Sequence, residues 1–340
     1  MAKQVAHFDL DSVKYSVASA AETRRVVAIH KTTGEHYDVK NRTQFYGRTK
    51  KRDGGLLAEI NKGRDSPYSW DEFEYEDIQI PEPKAHAFFT TKRMVDKIVS
   101  KSGADEVRYY VGSGESFRVG MSTLLKYKGN REDTLKPVLL EDVVEYMINK
   151  YRPEVVTSLE ADDAVVMESY GKSNHFIIGV DKDFYGSGSR FYNYSIHEEG
   201  IVRTEGLGEL WLDNRNRVRG KGLLFKMLQI ASEDNSDNYK ANCFSEVRWA
   251  EKSAYQALVG VGDYKEAFER LVSIFKMLYP EEKKVVGWRG DIISINYMYV
   301  LQEMWNMAHM LRWDKDLVNV EDVLRGLNIK HEDIEPYKGA

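Results

Sequence analysis

The chain has 340 residues but only one cysteine, Cys243, seven prolines and no long apolar run. A lone cysteine excludes an intramolecular disulfide and any cysteine-cluster zinc site. No stretch approaches the roughly 18 apolar residues of a membrane-spanning helix, so no membrane partner is expected. The opening residues lack the basic-then-apolar layout of a signal peptide, and "QVAHFDLD" reads instead as a first strand. Eight histidines are scattered without metal-ligand spacing. Internal repeats and low-complexity tracts are missing as well. Together these absences predict a cytoplasmic, reducing setting.

Charge is abundant, and it is segregated. Lysine and arginine total 49 against 54 acidic residues, a net charge of −5 that argues against a plain nucleic-acid coating protein. Between Lys40 and Arg64, "KNRTQFYGRTKKRDGGLLAEINKGR" sets eight basic residues against Asp53 and Glu59. The acids gather in "LEADD", "VDKDF" and "SEDNSD". A basic grip and an acidic centre on one chain suit an enzyme acting on a phosphate polymer. A solvated basic loop is the plainer reading of the same run.

Periodicity predicts a buried strand over residues 4–10 and a helix, "SVKYSVASAAETRR", from Ser12. A hairpin around Thr33-Gly34, the basic loop and an acidic extended stretch follow, and residues 26–88 read as an insertion. Helices and strands then alternate through "EVRYYVGS", "LLEDVVEYMINKY", "PEVVTSL", "ADDAVVMESYGK", "HFIIGVD" and "SRFYNYS". That alternation predicts an α/β fold with a doubly wound, mainly parallel sheet. From about residue 221 the strands are expected to stop, leaving a helical region packed by Met, Tyr and Trp. The expected domains are residues 1–220, carrying the insertion, and residues 221–340.

In such sheets ligands bind beyond the carboxyl ends of the strands. Those ends carry Asp9 with Asp11, Ser113, Glu160 with Asp162 and Asp163, and Asp181 with Asp183. Three of the four tips are acidic, which decides between a capping role and a shared one. Crowded carboxylates repel one another, and hard divalent cations, Mg²⁺ or Mn²⁺, offset that cost. Two such ions stabilise both the attacking and the leaving oxygen of a phosphodiester. Taken singly, each motif is also what a capped helix start looks like.

Four motifs, "YKGNR", "LEADDAVV", "FIIGVDKDF" and "SEDNSDNYKAN", with the opening "HFDLDSVKYSVASAAE", resemble the 5′→3′ exonuclease and flap endonuclease family, particularly its bacteriophage members. The likeness covers about residues 4–25 and 90–260. It implies a PIN-like nuclease domain and a helix-three-turn-helix-like DNA-binding segment in the C-terminal region. Asp9, Asp11, Glu160, Asp162, Asp163, Asp181, Asp183, Asp234 and Asp237 are then the implied metal ligands, for two Mg²⁺ or Mn²⁺ ions. Lys128 and Arg131 are the implied cations facing the scissile phosphate, and Tyr127 an implied base-stacking residue. Lys126, Arg118, Lys252, Ser253, Lys50, Lys51 and Arg52 complete the expected DNA contacts.

The implied substrates are DNA 5′ ends, flaps and duplexes, with RNA–DNA duplexes beside them. A phage replication or degradation setting, replication proteins as partners and a monomer are the further expectations. A potassium ion at the helix-three-turn-helix belongs to the same picture. Two features depart from the pattern. Ser113 stands where an Asp is usual, with Glu115 the nearest substitute, and Ala241 and Ala250 stand where hairpin glycines are usual. Two other readings stay open on the residues. "FDLDSV" fits a haloacid-dehalogenase-type phosphatase, with Asp9 as nucleophile and Asp11 as acid/base. A DNA-structure-binding protein with weakened catalysis is the other.

Overall fold

The computed structural model describes residues 2–48, 54–132 and 134–339. Lys50, Lys51 and Arg52 of the basic run lie outside the described residues. In chain order the strands are β1 (Val5–Asp9), β2 (Glu22–His30), β3 (His36–Val39), β4 (Phe73–Pro81), β5 (Glu106–Ser113), β6 (Glu154–Thr157), β7 (His175–Gly179) and β8 (Arg190–Asn193). After them come β9 (Ile201–Arg203), β10 (Glu209–Leu212), β11 (Val218–Lys221), β12 (Glu233–Asp234), β13 (Tyr239–Lys240), β14 (Lys283–Val286) and β15 (Ile292–Ile295).

The chain divides into two compact units. One comprises Met1–Ser12, Val95–Leu135 and Tyr151–Ala340, the other Val13–Met94 and Lys136–Lys150. The smaller unit is built on an antiparallel sheet in the order β3-β2-β4, with β2 paired along its whole length to β4. Val26, Ala28, Val39, Phe45, Leu57 and Phe73 form its core. Two arginines of the basic run are engaged within this unit, Arg42 with Asp77 at 2.6 Å and Arg64 with Glu35 at 3.4 Å.

The larger unit holds a six-stranded sheet in the order β6-β5-β1-β7-β8-β9. The first five strands are parallel and β9 alone runs antiparallel, as the α/β reading required. From β1 the chain moves outward to β5 and β6, then returns to the other side of β1 to form β7. Connections therefore diverge at the β1–β7 pair, and a crevice opens there beyond the strand ends. Asp9 closes β1 and Asp181 follows β7 by two residues, so the switch point of the sheet is acidic. Strands at the centre are covered on both faces, which is why "VAHF" and "FIIG" are buried throughout.

Helices Gly222–Ile230, Glu251–Leu258, Tyr264–Leu278, Tyr297–Ala308 and Val320–Gly326 share one core, with Phe275, Leu301, Met304 and Trp305 inside it. Met227, Met298, Met304, Met307, Trp249 and Trp305 pack there as expected, whereas Trp313 is half exposed. Strands do not stop at residue 221, however. Two hairpins, β12–β13 and β14–β15, interrupt the helices. "IISI" is β15 because its branched side chains favour a strand, and the following helix starts only where Asn296 accepts the Tyr299 N–H at 2.9 Å. Likewise the first helix ends at Ala20, and "ETRR" opens β2, held by its nine-residue pairing.

The β10–β11 hairpin sets the start of helix Gly222–Ile230. Leu223 and Leu224 N–H groups donate to the Gly206 and Leu207 carbonyls at 3.0 and 2.9 Å. This contact requires glycine at residue 208, which has φ +73° and where a Cβ would lie 1.8 Å from the Lys221 carbonyl oxygen. Gly208→Ala is expected to destabilise the fold by at least about 2 kcal/mol, since overpacking against backbone and a left-handed φ add. Urea unfolding measures it; an unchanged midpoint would refute the packing argument.

Candidate metal centre

Asp9 is buried at the tip of β1, and its Oδ1 accepts the Asp11 N–H at 2.9 Å. Asp11 in turn accepts the Gly112 N–H at 2.9 Å, tying the first helix to β5. A Cβ on Gly112 would meet the other Asp11 oxygen at 2.7 Å, so glycine is what admits this carboxylate. Asp11 thus has a local structural role, and an acid/base bound to a backbone N–H suits the phosphatase reading poorly. Ser113 ends β5 in an exposed position, and Glu115 is exposed two residues on.

Helix Ala161–Ser169 begins at the "LEADD" motif. Asp163 sits three residues past Glu160 and accepts the Glu160 N–H at 3.4 Å, half of a capping box. Asp163 is completely buried, with both oxygens bonded to Arg118 at 2.7 Å and one also to the Leu311 N–H at 2.9 Å. Arg118 is only 2% exposed and also reaches Glu160 at 2.8 Å and the His309 carbonyl at 2.6 Å. This corrects the expectation for Arg118: it is an internal counter-ion and has no surface to offer DNA. Oxygens of Glu160, Asp162 and Asp163 lie within 4.8 Å of one another; those of Asp163 are held by Arg118 and the Leu311 N–H and those of Glu160 by Arg118, Tyr127 and Lys128, which leaves Asp162 the least engaged of the three.

"YKGNR" lies against these carboxylates. The Tyr127 hydroxyl donates to Glu160 at 2.8 Å or to Asp237 at 2.9 Å. Its ring is 3% exposed, which corrects the stacking role expected of it. Lys128 adopts a left-handed φ of +56°, and its ammonium meets Glu160 and lies 3.7 Å from Asp237. Arg131 reaches the same Asp237 at 3.0 Å. Lys126 pairs with Glu132 and lies 5.2 Å from the Trp288 ring centre.

The remaining acids come from β7 and the β12–β13 hairpin. Asp181 is exposed and caps a short 3₁₀ turn by accepting the Asp183 N–H at 2.9 Å. Asp183 accepts from the Gln229 amide. Asp234 is buried and lies 2.8 Å from the Lys182 ammonium. The hairpin turn takes its left-handed residue from Asn238, at φ +59°, and Ala250 is extended at φ −149°; neither alanine needs a glycine's freedom. Helix Glu251–Leu258 carries Lys252 exposed and Ser253 half-buried in its first turn.

Electrostatics divides these carboxylates. Burial would raise the Glu160 pKa, but Lys128 and Arg118 outweigh it and hold the group below its ordinary value. Burial would also raise Asp234, and Lys182 and Ser236 reverse that. Asp162 stands well above the ordinary carboxylate range through burial and the charges of Glu160 and Asp163. Asp183 does so through burial and Asp181, and Asp237 is raised by burial and by Glu160. Negative charge is therefore in excess here even with Lys128, Arg131 and Lys182 interleaved. Tyr239 adds a buried hydroxyl without a hydrogen-bond partner among the described residues, beside Asp183, Asp234 and Asp237. Surplus carboxylate charge and an orphaned polar atom fit an oxygen-ligand cation.

Lys182, Gln229 and Tyr239 were not among the sequence-predicted residues. Lys182 stands inside "VDKDF" and was legible as a charge between two acids. Gln229 and Tyr239 carried no local signal.

Replacing Asp163 with Asn is expected to destabilise the protein by about 3 kcal/mol, because it removes the two-oxygen partner of the buried Arg118 charge and leaves only Glu160 facing it. Chemical denaturation checks this, and a loss under 1 kcal/mol would show the pair to be dispensable.

No protein-family model matches the chain, and no curated protein matches it. Among solved structures, the chain is similar to T5 5′-exonuclease with divalent metal ions (zinc) bound, at 16% identity and a TM-score of 0.40, over 74% of this chain and 90% of that one. It is similar also to T5 D15 protein co-crystallized with metal ions, at 15% identity and a TM-score of 0.39, over 73% of this chain and 91% of that one.

Proposed function

We propose that the protein is a divalent-metal-dependent 5′ nuclease with a PIN-like fold, acting on DNA 5′ ends and flaps. The observation that carries this reading is the gathering of Asp9, Glu160, Asp162, Asp181, Asp183, Asp234 and Asp237 at the switch point of a parallel sheet, interleaved with Lys128 and Arg131. The 5′→3′ polarity rests on the family resemblance of "YKGNR", "LEADD", "VDKDF" and "EDNSDN". RNA–DNA duplexes and a phage replication role belong to the same proposal.

Bound Mg²⁺ or Mn²⁺ would supply Lewis-acid stabilisation of the phosphodiester oxygens and lower the pKa of a water. Asp9, Glu160 and Asp162 are the proposed ligands on one side, and Asp181, Asp183, Asp234 and Asp237 those on the other. Lys128 presents a compact charge and Arg131 a planar fork, the two shapes that suit phosphate oxygens. Both are now paired with Glu160 or Asp237, so substrate phosphate must compete with these carboxylates for them. Tyr127 lies between Glu160 and Asp237, and its one hydroxyl proton is donated to either carboxylate. Arg118 holds Glu160 from behind and is a positioning residue.

A 5′-labelled duplex or flap incubated with Mg²⁺ or Mn²⁺ should give short labelled products. Asp181→Ala should lower their rate at least about 100-fold, the upper range for disturbing a metal's outer partners. Absence of products with either metal refutes the nuclease reading.

A pH dependence follows from the raised carboxyls. Groups whose folded pKa exceeds the unfolded value favour the fold at low pH and lose that contribution as pH rises through the folded value. Asp162, Asp183 and Asp237 should therefore weaken the metal-free protein as pH rises above the ordinary carboxylate range, a trend that scans at pH values of about 5 and about 8 compare. Divalent ions need these groups ionised, so the metal-induced rise in Tm should grow over the same window, reaching about 2–3 kcal/mol of stabilisation at a hundred-fold excess over Kd. Thermal scans with Mn²⁺ and with EDTA measure this; a metal effect equal at both pH values contradicts it.

A further inference from the structure

A second cluster of buried ionisable groups lies in the larger unit, outside the carboxylates of the metal centre. A cavity of about 290 Å³ is walled by Tyr170, Phe268 and Trp305, with Lys226, His309 and Arg312 supplying its charged and titratable side chains. No Asp or Glu is among the described residues that line it. The volume is near the lower end of the range for small-molecule pockets. Gly186 and Gly188 on its wall are packed against Lys226 and Tyr170, where a Cβ would lie 3.2 and 3.0 Å from those side chains.

Lys226 is the unusual member. It is 7% exposed and makes no ion pair among the described residues. Its ammonium has one hydrogen-bond partner there, His309 Nδ1 at 3.0 Å. His309 Nε2 lies 3.0 Å from Asp316 Oδ2, so the ring donates from Nε2 and accepts at Nδ1. Asp316 is itself held by Arg312, with bonds of 2.6 and 2.9 Å, and does not reach Lys226. Two of the three ammonium donors therefore have no acceptor among the described residues, at a residue that lines the cavity. A buried cation without an anion is costly, and its pKa falls to about 7, through burial and the Arg312 charge. Arg312 adds a second cation, stacked 4.3 Å from the Trp313 ring centre and 5.6 Å from that of Tyr170.

We infer that this cavity is a binding site for a small organic anion, a phosphate or carboxylate head paired with Lys226 and a flat ring against the aromatic walls. An anionic head satisfies the two open donors and neutralises the buried charge. The aromatic walls supply apolar area for a planar body. This inference is independent of the nuclease reading.

The test uses the full chain in EDTA, with phenyl phosphate, benzoate and inorganic phosphate as probes. Thermal shift and tryptophan fluorescence should show saturable binding of at least one aromatic anion. Inorganic phosphate should bind at least tenfold more weakly. Lys226→Met, which replaces the amine by an apolar chain of similar length, should weaken aromatic-anion binding at least tenfold, while Asp181→Asn leaves it unchanged. The wild-type protein supplies a readout that needs no variant: the ligand should protect Lys226 from acetylation by acetic anhydride, read by peptide mass spectrometry. Failure of both aromatic anions to bind, full binding by Lys226→Met, or unprotected Lys226 overturns the site. Equal affinity for inorganic phosphate overturns the ring as part of the ligand.

Discussion

A guanidinium with almost no exposed surface holds the acidic end of the sheet together. Arg118 donates to Asp163 through two nitrogens, and also to Glu160 and to the His309 carbonyl. The start of one helix, a metal-ligand candidate and the end of another helix thus meet on one side chain. Inside a protein such a charge persists only when opposite charge faces it, and here both terminal nitrogens have acceptors while Nε has none among the described residues. Asp163 completes the arrangement by also taking the Leu311 N–H, so the chain after helix Tyr297–Ala308 is fixed to the same pair.

Around that pair, acids and bases alternate. Lys128 and Arg131 face Glu160 and Asp237, while Lys182 faces Asp234. Full ionisation of Glu160, Asp162, Asp181, Asp183, Asp234 and Asp237 together needs more positive charge than these side chains provide, and with burial this holds several of the carboxyls above their ordinary pKa. The same imbalance is what a divalent cation corrects. The cations that quiet the crevice in this state are the ones suited to phosphate oxygens, so the residues that stabilise the fold and those proposed to meet substrate overlap.

Much of this was legible. Alternating strands and helices identified the parallel sheet, and the acidic strand tips followed from counting to the end of each predicted strand. Counting places Asp9, Glu160, Asp162, Asp181 and Asp183 at or just beyond strand ends, and topology brings parallel strand ends to one edge. Arg118 and Tyr127 were misread because their residue types, a cation and an aromatic, look like surface contacts until burial is known. Hairpins β12–β13 and β14–β15 escaped detection because two-residue and four-residue strands leave almost no periodic trace. Lys226, His309 and Asp316 escaped for a different reason: 83 residues separate the lysine from the histidine, and no local pattern marks either.

The sequence by itself determined the α/β class, the acidic edge and the basic "YKGNR" segment, since each depends on local periodicity or on residues close along the chain. Tertiary structure alone decided which charges are buried counter-ions and which stand open. It made Asp163 the partner of Arg118, left Asp181 exposed, and gave Lys226 a histidine in place of a carboxylate. Desolvation and pairing depend on neighbours brought in from distant segments, and a linear chain does not contain those distances.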